Sequence, residues 1–174
     1  MASGDIFTQQ QPKDLTPQNG IYNEVPLVYP VAAGGGVAGV PMAKLTTQGY
    51  EFQVRVWNNG TPLTTGITLQ FTLVDDPGNP GAGLGVVIGA TAKRITGSGD
   101  FTQTSASTEV TATVTMPATS GQMVTGTIAI TKAAISASLA AGDTIIVLIR
   151  RIGTNASDTH TGRVLLTGLT VQDT

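Results

Sequence analysis

An all-β fold, an antiparallel β-sandwich of jelly-roll-like kind with an extended N-terminal arm, is what this sequence predicts. Three observations predict it. Apolar and polar residues alternate with a period of two in several short runs; Gly, Pro, Asn and Asp clusters break the chain between them; only residues 132–141, rich in Ala and Ser, offer a helical turn or two. Seven runs at fairly regular spacing suit a sandwich. Charged residues make up 11% of the chain and aromatics 5%, against a usual charged share of about a quarter. A surface so poor in charge is tolerated when neighbours cover it, so a homo-oligomer or a larger assembly is expected.

Residues 1–45 hold Pro12, Pro17, Pro26, Pro30 and Pro41, which forbid a long helix and, lacking the N–H donor, a central strand. Yet Ile6, Phe7, Leu15, Tyr22, Leu27 and Tyr29 lie among them, more apolar content than a disordered tail usually carries. An extended apolar segment that cannot pack on itself needs a groove, either on its own body or on another subunit. The second is the preferred reading: residues 1–45 form an arm with those six side chains as its partner-binding anchors, and residues 46–174 form the sandwich body. The alternative makes residues 25–31 an edge strand of the body. Gly34, Gly36 and Gly39 spell G-x-G-x-x-G, but Pro41 follows at once and no helix succeeds them, so the run is expected to be a hinge and not a dinucleotide site.

The body begins with Tyr50, Phe52, Val54 and Val56 alternating with polar residues, and Asn58, Asn59 and Gly60 then supply hairpin-turn chemistry. Trp57 falls on the polar face of that strand beside the turn; an exposed Trp is the residue type most enriched at interface hot spots, so it joins the partner-binding candidates. Ile67, Leu69, Phe71 and Leu73 mark the next strand, residues 84–92 a third, and Val110, Ala112, Val114 and Met116 a fourth with threonines between them. Residues 123–130 follow in the same pattern. Residues 144–151 are β-branched and apolar enough for a central strand covered on both faces. After a polar loop, residues 163–171 are expected to return antiparallel to it.

Several function classes are disfavoured. The net charge of -2 gives no basic field for nucleic acid. No cysteine is present, which removes disulfides, thiolate zinc sites and cysteine nucleophiles together. The N-terminal residues lack a basic and then apolar leader, and no apolar run approaches about 18 residues, so synthesis in a cytoplasm and no membrane partner are expected. His160 is the single histidine; no G-x-S-x-G elbow accompanies it, so a surface loop position is expected. Asp75, Asp76, Asn79, Asp143 and Asp158 carry oxygen ligands, but they fit no calcium-loop spacing and turn chemistry accounts for them. The expectation is a protein that is not an enzyme and takes no cofactor and no metal. Arg150 and Arg151, adjacent in a strand, must point to opposite faces, and each needs an acidic partner if buried.

Residues 138–143 (Ser-Leu-Ala-Ala-Gly-Asp), a strand ending in Arg150 and Arg151, the loop 153–159 (Gly-Thr-Asn-Ala-Ser-Asp-Thr) and the strand 162–171 together resemble small virion structural proteins of tailed bacteriophages. The likeness covers about the last third of the chain. It implies a particle component: a head decoration or cement protein bound to the major capsid protein, trimeric by analogy and located on the virion. The alternative it implies is a receptor- or glycan-binding module of a fibre, using the loops around residues 75–81 and 155–160.

Overall fold

The structure is a computed structural model of the chain. It describes residues 5–7, 16–17, 27–31, 35–42, 44, 49–55, 65–75, 83–95, 107–119, 121–140 and 143–173, with side chains for Met42, Lys44 and, within those ranges, residues 65–172. The elements are β1 (Asp5–Phe7), β2 (Thr16–Pro17), β3 (Leu27–Val31), β4 (Gly35–Met42), β5 (Gly49–Arg55), β6 (Gly66–Asp75), β7 (Gly85–Ile95), β8 (Val110–Thr115), β9 (Met123–Thr131), α1 (Lys132–Ile135), β10 (Thr144–Arg151) and β11 (Val164–Asp173). The fold is the expected antiparallel β-sandwich. One sheet runs β3-β4-β11-β6-β9, with β1 beside β11; the other runs β2-β5-β10-β7-β8.

The period-two pattern explains the core. Ile67, Leu69, Phe71 and Leu73 of β6 are fully buried against the opposite sheet's Val86, Ile88 and Ala90 of β7 and Ile145, Val147 and Ile149 of β10. The intervening Gln70 is exposed. Each such side chain contributes about 1.5–3 kcal/mol by leaving water. The threonines of β8 alternate outward in the same way: Thr111, Thr113 and Thr115 are exposed while Val114 turns in. β8 and β9 lie at the same edge of their two sheets, and Gly126 lets that edge close, because a Cβ there would collide with the Phe71 ring and sit 2.6 Å from Val114 Cγ1. The helical content expected over 132–141 is the single turn α1, capped by the Thr131 hydroxyl.

Two pairings differ from expectation. β10 and β11 are not a hairpin: β10 lies between β5 and β7, and β11 lies in the other sheet between β6 and the β4/β1 side. β5 and β6 are likewise in different sheets, so the Asn58, Asn59, Gly60 stretch joins no hairpin. The reason is that consecutive strands with one apolar face each can bury those faces either side by side or across the core, and alternation alone does not distinguish the two. β10 is nonetheless the central, doubly covered strand of its sheet.

The described parts of residues 1–45 lie on the chain's own sheets. β1 pairs with β11 at Phe7 and Val171, β2 with β5 at Thr16 and Glu51, and β3 with β4. Gly36 and Gly39 of the glycine run expected as a hinge lie in β4, whose first part pairs with β3 and whose end pairs with β11. Pro41 sits at that end, opposite Leu165 and beyond the described register with β3.

Candidate functional site

The alternation along β10 that points Ile145, Val147 and Ile149 into the core also points Arg151 inward, at one end of the sandwich. A bare guanidinium there would be prohibitive. Instead all five of its N–H groups are used. Nε and Nη2 donate to the two oxygens of Asp158 at 2.9 and 2.7 Å; Nη1 donates to the carbonyls of Gly162 at 2.5 Å and Met42 at 3.3 Å; the remaining Nη2 proton goes to the carbonyl of His160. Asp158 Oδ2 also accepts from the Val87 N–H at 3.1 Å.

His160, two residues on, reaches the other sheet. Its Nε2 lies 2.7 Å from Asp75 Oδ1 on β6, and its Nδ1 lies 3.1 Å from the Gly162 N–H. The Gly162 N–H can only donate, so Nδ1 accepts from it and the ring proton is assigned to Nε2, facing Asp75. Arg151, Asp158, His160 and Asp75 are all at least 97% buried, with relative exposures of 2%, 3%, 0% and 1%. This overturns the expectation of His160 on the surface. The loop 152–163 must cross from one sheet to the other over the end of the core, and its middle supplies the polar groups that close that end.

The loop is held by backbone as well. β10 stops at Arg151, and beyond it the loop carries on the ladder along β7: Ile152 N–H donates to Val87, and Thr159 and His160 both donate to the Gly85 carbonyl. The Thr159 hydroxyl in turn accepts from Gly85 N–H at 2.8 Å. Asn155 caps the turn by accepting from Ser157 N–H. Lys44 Nζ donates to the Asp158 carbonyl at 2.8 Å, and the Lys44 backbone passes so close to Gly153 that any Cβ would strike its carbonyl. Thr154, Asn155, Ala156, Ser157, Thr159 and Thr161 remain exposed on this fixed frame.

Two further ion pairs lie nearer the solvent. Arg150 grips Glu109 with Nε to Oε1 at 2.6 Å and Nη2 to Oε2 at 2.9 Å. Hydrogen bonding to Glu109 raises the Arg150 pKa above its ordinary value despite partial burial. Arg94 holds Asp143, whose Oδ2 also accepts from Ala140 N–H at 2.6 Å. Burial pushes the Asp143 carboxyl up, but the Ala140 N–H and Arg94 together bring it below its ordinary value.

Asp75, Asp143 and Asp158, weighed above as oxygen ligands, thus have their partners within the chain. Among the described residues no three His, Asp or Glu side chains gather as a metal cluster would require; Asp76 and Asn79 lie outside them. Of the partner-binding candidates, Ile6 and Phe7 have their backbone in β1, and Leu27 and Tyr29 in β3. Their side chains, and Leu15, Tyr22 and Trp57 altogether, lie outside the described residues. What the sequence reading missed was the joining of Arg151 to His160. The signal was present in the inward parity of Arg151 with Ile145, Val147 and Ile149.

The class defined by this architecture is a β-sandwich whose buried polar residues close one end and leave no accessible acid, base or nucleophile within that cluster. No family model and no curated protein matches the chain. Among solved structures, it is similar to the N-terminal CBM22-1-CBM22-2 tandem domain from Paenibacillus barcinonensis Xyn10C, with a TM-score of 0.53 and 11% identity, over 100% of this chain and 50% of that one. The Agl-KA catalytic domain aligns with a TM-score of 0.46 and 13% identity, over 99% of this chain and 28% of that one. The chain spans half or less of the length of either structure, and at such identity the first likeness establishes the sandwich fold alone.

Proposed function

We propose that the chain is a non-enzymatic virion structural protein, a decoration or cement protein that binds the major capsid protein of a tailed-bacteriophage particle and stabilises the shell as a homotrimer. The observation that carries this reading is the inward direction of the chemistry in the C-terminal third. The residues through which it resembles phage virion proteins are frame-building ones: Leu139 is buried, Asp143 holds Arg94, Arg150 holds Glu109, and Arg151 holds Asp158. A module whose distinctive residues are spent on rigidity, and whose exposed described residues are nearly free of charge, is suited to association and not to turnover. Ile6, Phe7, Leu15, Tyr22, Leu27, Tyr29 and Trp57 are the proposed contacts with the shell; the four of them on β1 and β3 stand on strands paired within the chain's own sheets.

The test is co-sedimentation of the purified chain with shells of the major capsid protein. Saturable binding and a raised shell melting temperature are the expected result. Failure to bind shells, together with saturable binding to a polysaccharide, would replace this reading with the second one, a glycan-binding module. The second reading is favoured by the fixed loop 152–163 with its exposed hydroxyls and by the name of the Xyn10C neighbour. Against it, the described side chains include one Phe, Tyr or Trp, Phe71, and it is buried, so no aromatic sugar platform is visible among them.

A further inference from the structure

The two lateral sides of the sandwich are guarded differently. On one side the edge strands are β2 and β3, and each contains a proline, Pro17 and Pro30, which withholds an N–H from any strand that would add there. On the other side the edges are β8 and β9, and neither contains a proline or a charged residue. β9 is the longer, at 9 residues. Among the described strands it pairs with β6 alone, so alternate residues turn N–H and C=O away from β6, toward a side where no described strand runs. Its outward side chains, Met123, Thr125, Thr127, Ala129 and Thr131, are all exposed, Met123 at 60%.

We infer that β9 is an interface between copies of this chain: it pairs antiparallel with β9 of a second copy about a two-fold axis at Thr127. A long, uncharged, proline-free edge is the template that proteins normally blunt unless it is used. A second copy fits because the strand's own side chains can face one another without charge or steric conflict in the register that uses its full length. With Thr127 opposite Thr127, Thr125 lies opposite Ala129 and Met123 opposite Thr131. No like charges meet, small or β-branched side chains oppose one another, and the two outer sheets become one continuous sheet. A two-fold contact also closes on itself, where a head-to-tail use of the same edge would run on as a fibre. This contact is separate from any three-fold association and holds whether the body serves a shell or a glycan.

The experiment compares solution masses of the full chain and its Thr127→Lys variant by light scattering, with circular dichroism to show that both are folded. The exposed lysine keeps the fold but sets two ammonium groups against each other on the axis. The expected result is a mass halved by the substitution. Independently, Thr127→Cys, in a chain with no other cysteine, is expected to form an intermolecular disulfide on mild oxidation, and a mixture of Thr125→Cys and Ala129→Cys chains is expected to cross-link to each other. Thr113→Cys on β8 serves as the control for chance collision. An unchanged mass in a folded Thr127→Lys variant overturns the proposal, as does cross-linking of Thr127→Cys no faster than that of Thr113→Cys.

Discussion

Arg150 and Arg151 are neighbours in one strand, carry the same group, and each holds a carboxylate bidentately, yet they stand in opposite environments. The Arg151 and Asp158 side chains are 0% exposed, whereas those of Arg150 and Glu109 are 34% and 24% exposed. Coulomb attraction is screened at the outer pair, and such pairs contribute about 0–1 kcal/mol. At the buried pair the attraction mostly offsets the desolvation of its own charges, but removal of either partner strands the other, which costs about 3–5 kcal/mol. One ion pair is thus a surface ornament in energetic terms and the other a lock. What the lock fixes is the path of the loop between sheets.

The largest expected effect is therefore from Asp158→Ala. It strips acceptors from Arg151 Nε and Nη2 and from the Val87 N–H in a site closed to water. Urea denaturation should show about 3–5 kcal/mol lost. If Arg151→Met is added, the second charge goes too, and the double variant should be more stable than Asp158→Ala alone; strictly additive losses would refute the lock. His160→Ala comes next, because it removes one hydrogen bond each from Asp75 Oδ1 and the Gly162 N–H in a buried site. A loss of about 1–3 kcal/mol is expected in the same assay. Any loss of ligand binding in that variant has to be separated from this loss of stability.

These two buried residues also mark the limit of what the sequence makes legible. Each of the seven strand runs expected in the body corresponds to a strand, because a half-buried strand writes its burial into every second residue: Ile67, Leu69, Phe71 and Leu73 are buried and Gln70 is not. The same alternation made β10 and β11 look like a hairpin, since a face buried against a partner sheet and a face buried beside a partner strand carry the same pattern. The polar residues Asn155, Asp158 and His160 looked like ordinary loop chemistry. Two of the three are buried because a strand 7 residues before Asp158 delivers an inward arginine, a long-range fact of geometry that loop composition does not encode. Within the first 45 residues, residues 25–31 were legible as an edge-strand alternative, whereas the glycine run looked like a hinge; the partners of β1, β2 and β4 on β11 and β5 lie far along the chain.

On the outer face the comparison predicts little. Glu109→Gln should change stability by less than about 1 kcal/mol, and the change should shrink further when salt is raised, since ions screen this pair and not the buried one. A loss from Glu109→Gln as large as that from Asp158→Ala would mean that exposure does not separate the two arginines.

The smallest effect belongs to Asp143 and shows itself through pH. Its folded pKa is depressed below the ordinary 3.8 because the Ala140 N–H and Arg94 together outweigh burial. A depressed carboxyl adds stability while both states are ionised, above the unfolded value; that stability fades as pH falls below 3.8 and through the folded value. Wild type should therefore exceed Asp143→Asn by up to about 1 kcal/mol near neutrality, with the two denaturation midpoints converging in acid below pH 3.8. The asparagine amide of that variant keeps an oxygen for the Ala140 N–H, so the converging part isolates the charge. A difference that stays constant into acid would assign the effect to that hydrogen bond and leave the Arg94 pair, like that of Arg150, without measurable weight.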